Sequence, residues 1–308
     1  MIKILMTGAS GMVGRNITDH SLSHNYEWLL PSSKELNLCD YTATRTYIDR
    51  HKPDFIIHAA GKVGGIQANI KEPVSFLISN LDMGRNVLMA ALEVGVPRLI
   101  NFGSSCMYPK DHQEALCEED ILSGKLEPTN EGYALAKIIT TRLAEYISQE
   151  HTQLSYKTLI PCNLYGRYDK FDPKYSHMIP AIIHKIHIAK INRESSVEIW
   201  GSGQARREFL FAGDLANAVF KAIDEFDKIP SLLNIGLGYD YTIDEYYQKA
   251  AEVIGYKGKF SHNPNKPEGM QRKLSNIEKA VKWGWKHTHT LEDGLQKTYQ
   301  YYLQGVQQ

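Results

Sequence analysis

Tyr133 and Lys137 stand four positions apart in Tyr133-Ala134-Leu135-Ala136-Lys137. On a helix, positions i and i+4 share a face, so an ammonium lies one turn from a phenol. A nearby positive charge favours the phenolate and lowers the phenol's pKa. Such a tyrosine can pass a proton to or from a carbonyl oxygen near neutral pH. Upstream, an apolar run ends in Phe102-Gly103-Ser104-Ser105, and a serine hydroxyl at a strand's C-terminal end can bond the same carbonyl oxygen.

Near the start, Gly8-Ala9-Ser10-Gly11-Met12-Val13-Gly14 has the spacing G-x-x-G-x-x-G between an apolar run and a helical pattern. Glycines there let the backbone turn sharply and approach a pyrophosphate, and a helix N-terminus offers that anion free N–H groups and a positive dipole end. The pattern predicts a dinucleotide site rather than a tight turn without a ligand. The second strand should end in an acid if the ribose 2′-hydroxyl is read. It ends instead in Leu30-Pro31-Ser32-Ser33-Lys34, with Glu35 only afterwards. Two hydroxyls and a lysine suit a 2′-phosphate, so NADP is expected over NAD; the plainer reading is a solvated turn that lacks an acid.

Strands and helices must place these groups. Apolar runs at 3–6, 27–30, 55–58, 98–102 and 157–159 alternate with amphipathic stretches such as 11–23 and 73–94. That alternation predicts an α/β chain, a Rossmann-type doubly wound parallel sheet with helices on both faces. The character changes near Asn163. A polar loop, a helix over 179–190 with Pro180 in its first turn and a strand over 197–200 follow, and the tail from Asn234 is richer in Lys, Tyr and Gly. Residues 1–163 with 207–233 are expected to form the NADP-binding domain. Residues 164–206 with 234–308 are expected to form a smaller α/β substrate domain, with 207–226 returning to pack on the first.

The 308 residues carry 35 basic and 35 acidic side chains, a formal net charge of zero. Nothing global argues for nucleic acid or an anionic membrane, so an anionic substrate must meet local basic residues. Cys39, Cys106, Cys117 and Cys162 form no C-x-x-C pair and read as free thiols in a reducing compartment. The glycine motif leaves no room for a signal peptide before it, and no run of about 18 apolar residues exists. A soluble cytoplasmic protein without a metal site is expected.

Several stretches resemble the extended short-chain dehydrogenase/reductases: the glycine loop, His58-Ala59-Ala60, Asn80, Ser104-Ser105-Cys106-Met107-Tyr108, Tyr133 with Lys137, and Asn163-Leu164-Tyr165-Gly166. More narrowly, the chain resembles the GDP-L-fucose synthases, which epimerise a GDP-4-keto-6-deoxy-mannose at C3 and C5 and reduce it at C4. The stretches that carry this are Ala60-Gly61-Lys62-Val63-Gly64-Gly65-Ile66, Gly103 to Lys110, Leu126-Glu127-Pro128-Thr129-Asn130-Glu131, Ser176-His177-Met178-Ile179-Pro180-Ala181, Trp200-Gly201-Ser202-Gly203, Arg207-Glu208-Phe209-Leu210 and Lys266-Pro267-Glu268-Gly269 with Arg272-Lys273-Leu274. They span nearly the whole chain.

The resemblance implies that Ser104, Tyr133 and Lys137 form the reductase set, and that Cys106 and His177 are the base and acid of epimerisation. A ketone at C4 acidifies the hydrogens on C3 and C5; a thiolate could take one and an imidazole return one to the other face. The plainer readings are a small buried residue at Cys106 and an ordinary loop histidine at His177. Cofactor contacts are implied at Gly8, Ser10, Gly11, Met12, Val13, Gly14, Ser32, Ser33, Lys34, Asp40, Ala59, Ala60, Tyr133, Lys137, Asn163 and His177. Substrate contacts are implied at Ser105, Asn163, Lys185, Trp200, Arg207 and Lys266. Lys185 stands where the family often has arginine, so a fork becomes a point charge. By analogy with the superfamily, a homodimer would pair through 82–94, and the product would feed surface-polysaccharide synthesis.

The chain also departs from the family. Basic residues are common where Pro31-Ser32-Ser33 stand, and proline where Gly132 and Arg167 stand. Arg167 and Tyr168 are expected beside the sugar pocket, so a different sugar such as a 6-deoxy-heptose, or reduction without epimerisation, is open. A nucleotide-sugar 4,6-dehydratase would carry an Asp-Glu pair where Cys106-Met107 stand. A 4-epimerase with tightly held NAD leaves Cys106 and His177 without a task. A non-catalytic NADP(H) sensor would not need an intact Ser104, Tyr133 and Lys137.

Overall fold

The computed structural model describes residues 1–112, 114–172, 176–266 and 270–306. Pro267, Glu268 and Gly269 of the resemblance lie outside the described residues. The first half carries β1 (Lys3–Thr7), α1 (Met12–Thr18), β2 (Glu27–Leu29), α2 (Tyr41–His51), β3 (Phe55–His58), α3 (Ile66–Lys71), α4 (Pro73–Val94), β4 (Arg98–Phe102) and α5 (Glu131–Glu150). Then follow β5 (Ser155–Pro161), β6 (Asn163–Tyr165), α6 (Met178–Ile191), β7 (Ser196–Trp200), β8 (Arg206–Arg207), β9 (Phe209–Phe211), α7 (Ala212–Asp224) and β10 (Leu232–Ile235). The chain continues through β11 (Tyr241–Thr242), α8 (Ile243–Ile254), β12 (Lys259–Asn263), β13 (Arg272–Lys273), α9 (Glu278–Lys282) and α10 (Leu291–Val306).

Six strands form one parallel sheet in the order β10-β5-β4-β3-β1-β2. The doubly wound sheet expected from the alternation is the one observed. Its inner strands are buried on both faces, which is why they read as unbroken apolar runs; Phe55, Ile56, Ile57 and His58 of β3 are all buried. One face packs Ile4, Met6, Ile57 and Ile100 against Leu215, Val219 and Phe220 of α7. The other packs Leu5, Ile56 and Leu99 against Val87 and Leu88 of α4 and Ile147 of α5. A separate core joins Ile182 and Ile186 of α6, Val197 and Ile199 of β7, Tyr246 and Ile254 of α8 and Leu295 of α10. No helix among the described residues is long and apolar enough to cross a membrane.

The chain leaves β1 for β2 on one side and returns past β1 to β3 on the other. The crevice at such a switch point, outside the carboxyl ends of the strands, is where open α/β sheets take their ligands. Both the glycine loop and Ala59-Ala60 leave the sheet there.

Two expectations change. The first helix ends at Thr18 and not near Ser23. His20 leaves helical geometry because its ring stacks on Phe220 at 4.7 Å, bonds Asn217 at 2.7 Å and accepts from Leu22 N–H, capping a separate 3₁₀ turn. The stretch 82–94 turns inward: Val87, Leu88, Ala90 and Ala91 are fully buried, while the exposed apolar side chains of α4 and α5 are Val74, Ile78, Leu135, Ile139 and Tyr146.

Candidate active site

β1 delivers the chain into a turn that side chains would fill. Gly8 has φ +74°, a left-handed conformation that glycine adopts without strain, and a Cβ there would fall 2.6 Å from Ala60 N and 2.7 Å from Ala59 O. A Cβ on Gly14 would fall 2.4 Å from Gly8 O. Gly11 bonds back to Gly8 O at 3.0 Å and stands at the start of α1 with no side-chain cap. The first-turn amides of Met12 and Val13 therefore open beside exposed Ser10, with Ala59 and Ala60 as the opposite wall. This cradle fits a dinucleotide pyrophosphate. Beneath it Thr7 and buried His58 share a 2.8 Å hydrogen bond. Burial, then the charge of Lys137, pushes the His58 pKa down to about 3, so the imidazole is neutral.

At the tip beyond β2, Ser32, Ser33 and Lys34 are exposed. Glu35 is not aimed along the strand: its carboxylate accepts from Ser32 N–H at 2.8 Å, and its own N–H reaches Ser32 Oγ at 3.4 Å. The Ser32 N–H, and after it the Ser32 hydroxyl, hold that carboxyl below the usual range. Asp40 commits one carboxylate oxygen to capping α2, accepting from Ala43 N–H at 2.9 Å.

Lys137, 7% exposed, donates from Nζ to Phe102 O at 2.9 Å, so α5 is pinned to the end of β4. Burial lowers its pKa from 10.5 to about 8. Nζ stands 6.0 Å from the Tyr133 ring centroid. The phenol's pKa is nonetheless raised, first by burial and then by the charge of Cys106, with a hydrogen bond to Ser104 pulling the other way. Burial thus outweighs the lowering expected from Lys137 in the chain alone. Ser104 Oγ also accepts from Cys106 N–H at 3.2 Å, capping the 3₁₀ turn that carries buried Ser105. Asn80 fixes the neighbouring loop by accepting from Lys62 N–H at 2.9 Å and donating to Phe76 O at 2.6 Å.

Cys106 has a partner that sequence reading assigned no role. Asn130 Nδ2 lies 3.2 Å from its Sγ. The only signal was the match at Leu126 to Glu131; nothing in the spacing links positions 106 and 130. Asn130 and Tyr133 line a small cavity of about 200 Å³ together with Asn69, Phe76 and Gly132.

His177 is exposed at the start of α6, on a segment whose Ser176 O lies 3.9 Å from where a Gly65 Cβ would stand. It therefore sits over the loop that follows Ala60. Desolvation raises the carboxyl of half-buried Asp169, and the charge of His177 opposes that rise. Asn163 ties β6 to the β8–β9 connection by donating to Glu208 O at 3.1 Å. Lys185 donates to Glu198 O, and Lys266 Nζ stands 5.3 Å from the centroid of the exposed Trp200 ring. Lys185 thus meets the middle of β7 and Lys266 its last residue. Arg207, on β8, donates to Arg206 O at 2.7 Å.

Arg167 and Tyr168 turn toward α1. Tyr168 takes φ +69°; the Arg15 guanidinium lies 3.8 Å over its ring, and its hydroxyl donates to Asp19. Arg167 reaches Asp19 at 3.9 Å, and its carbonyl accepts from Asn16 at 3.0 Å. Both side chains clamp their loop to α1, because the αL turn after Gly166 directs them there.

Comparisons with known proteins agree with this layout. The chain is 55% identical over 302 residues to the GDP-L-colitose synthase of Yersinia pseudotuberculosis, covering 98% of each. It is 48% identical over 303 residues to the GDP-L-fucose synthase of Azorhizobium caulinodans, covering 98% of this chain and 97% of that one. A solved GDP-6-OMe-4-keto-L-xylo-heptose reductase from C. jejuni superposes with a TM-score of 0.91 at 28% identity, over 99% of this chain and 98% of that one. The GDP-mannoheptose C4 reductase MlghC from Campylobacter jejuni, solved with NADP bound, superposes with a TM-score of 0.89 at 28% identity, over 98% of each. The family model described as NAD dependent epimerase/dehydratase matches residues 4–236, the stretch that holds the glycine cradle and the Ser104, Tyr133 and Lys137 cluster, and the chain belongs to that family.

Proposed function

We propose that this chain reduces, with NADPH, the C4 ketone of a GDP-linked 4-keto-6-deoxy sugar, and that it also epimerises that sugar at C3 or C5. The observation that carries the reading is the turn after β4. Ser104 and Cys106, two residues apart, both meet Tyr133, one as a hydrogen-bond partner and one as a charge. A proton donor for a C4 oxygen and a base for the adjacent carbon thereby share one site. The names of the relatives, GDP-L-colitose and GDP-L-fucose synthases and GDP-heptose reductases, support a GDP-linked sugar.

NADP would be held by the cradle of Gly8, Ser10, Gly11, Met12, Val13 and Gly14, by the wall of Ala59 and Ala60, and at its 2′-phosphate by Ser32, Ser33 and Lys34. Asp40, Asn163, His177 and Lys137 complete that set. When bound, NADPH supplies the hydride to C4. Tyr133 gives its phenolic proton to the C4 oxygen, which Ser104 also bonds, and Lys137 holds a positive charge behind the phenol. For epimerisation, Cys106 as thiolate takes the proton from carbon next to the ketone. Ser104 and Tyr133 bond the enolate oxygen, and His177 returns a proton on the opposite face. Ser105, Asn163, Lys185, Trp200, Arg207 and Lys266 are assigned to the nucleotide sugar, the cations to its diphosphate.

We assign residues 1–163 with 207–233 to the cofactor and the remainder to the sugar nucleotide. Free cysteines suit the reducing cytoplasm. Val74, Ile78, Leu135, Ile139 and Tyr146, exposed on two packed helices, suit a homodimer; sedimentation at a single-chain mass would refute that.

The test is turnover in deuterated water with GDP-4-keto-6-deoxy-mannose and NADPH. Loss of NADPH absorbance together with deuterium at C3 or C5 supports both activities. NADPH consumption without deuterium reduces the reading to a C4 reductase, and no consumption with any GDP-4-keto sugar overturns it.

A further inference from the structure

We propose that Asn130 is a positioning residue whose side-chain amide holds Cys106 as the thiolate base of this site. The inference rests on the reading of Cys106 as that base. Asn130 is the residue before α5, where asparagine ordinarily caps the helix by accepting from an amide two or three residues on. Here no such cap is made. The side chain turns away from its own helix, and Nδ2 donates to Cys106 Sγ at 3.2 Å. Its Oδ1 is buried with no partner. Buried polar groups are rarely left so, and an asparagine that forgoes both its cap and its acceptor bond is spent on the sulfur.

The sign of the effect follows from the direction of the bond. A donor aimed at sulfur favours the charged form over the neutral one, and hydrogen bonds to charged groups are roughly twice as strong as neutral ones. The sulfur is fixed from its own backbone as well, because Cys106 N–H donates to Ser104 Oγ at 3.2 Å. Asn130 itself is fixed by the turn Pro128–Asn130, with its N–H on Glu127 O at 3.2 Å. The titratable neighbour is Tyr133, one turn further along α5, whose phenol is held protonated first by burial and then by the charge of Cys106. A half-turn of the amide would present Oδ1 to an S–H, so the same residue can serve the sulfur after it has taken a proton.

The experiment is site-resolved alkylation of Cys106 by iodoacetamide, read by mass spectrometry from neutral to alkaline pH, in the full-length wild type and in Asn130→Ala and Asn130→Asp. NADPH binding checks that each variant folds. Alkylation at neutral pH is expected to slow about ten-fold or more in both variants, because the donor that favours the charged sulfur is gone. The loss should be greater with the carboxylate, and the rate should recover at alkaline pH. A structural role alone would loosen the turn and leave the neutral rate unchanged or raised in both variants, and that result overturns the proposal. Deuterium wash-in to the keto sugar by the wild type is measured in parallel. Its absence would count against Cys106 as an epimerisation base, whereas the alkylation profile decides the role of Asn130 independently.

Discussion

Replacing Lys137 with methionine should change how stability depends on pH, by an amount the structure sets. The Lys137 ammonium is buried and its pKa falls from 10.5 to about 8 because the charged form is desolvated. That difference of about 2.5 units (10.5 − 8), at about 1.36 kcal/mol per unit, is about 3 kcal/mol. The unfolded chain keeps this proton up to about pH 10.5, whereas the folded chain releases it near pH 8. Between those values the unfolded state binds more protons, so wild-type stability rises with pH. Below about pH 8 both states are charged and the folded state carries the whole penalty. Methionine neither titrates nor donates. At neutral pH it relieves the buried charge but leaves Phe102 O without its 2.9 Å donor, a loss of about 1–3 kcal/mol, so the two proteins should differ little there. Urea unfolding at a series of pH values reads the difference directly, and groups common to both proteins cancel. The wild type should gain about 3 kcal/mol on the variant between about pH 8 and about pH 10.5. Parallel stability curves across that window would refute the argument.

Three further outcomes follow from the site. Tyr133→Phe should lower C4 reduction about a hundred-fold or more at saturating NADPH; turnover near the wild-type rate would remove Tyr133 as the proton donor. Gly14→Ala places a Cβ 2.4 Å from Gly8 O, so the loop must shift and NADPH affinity, read by fluorescence titration, should fall about ten-fold or more; unchanged affinity would show that the cradle does not meet the cofactor. Cys106→Ser removes a charge that raises the Tyr133 pKa. Oxidation of the finished GDP-sugar by NADP⁺ needs the phenolate as base, so its pH profile should move to lower pH, and a profile that stays in place would separate the two groups.

What sequence reading captured was local in the chain or fixed by helical period. The strand, Gly8 to Gly14 and α1 are contiguous, and Tyr133 with Lys137 needed only the i, i+4 rule. What it missed required side chains to choose between partners. Lys137 reaches the Phe102 carbonyl, and burial of the phenol outweighs the lowering expected of its neighbour. Glu35 folded back on Ser32, which no count of acids at the strand tip reveals. Arg167 and Tyr168 were expected beside the sugar pocket, and a positive φ at Tyr168, Arg15 on α1 and Asp19 just past its end hold their side chains against that helix. Asn130 met Cys106 only because the turn after β4 and the start of α5 converge in space.

The charges around Tyr133 also dictate the order of events on the proposed reading. Abstracting a proton next to a ketone requires a negative base and a neutral donor at the ketone oxygen. The sulfur that Asn130 faces is assigned as that base, and burial, with the charge of Cys106 second, keeps the Tyr133 phenol protonated as that donor. Reduction needs the same loaded phenol, so Tyr133 enters both reactions protonated, while the proton that Cys106 takes and the one that His177 gives up must be exchanged before another inversion. The ketone is what acidifies C3 and C5, and reduction removes it. Once C4 is an alcohol Cys106 has no acidic carbon to attack, so inversion must precede hydride arrival and hydride arrival makes it irreversible. A pocket that placed the thiol and the phenol in separate electrostatic surroundings would lose that coupling. Both stand instead against the turn that Ser104 caps at the end of β4.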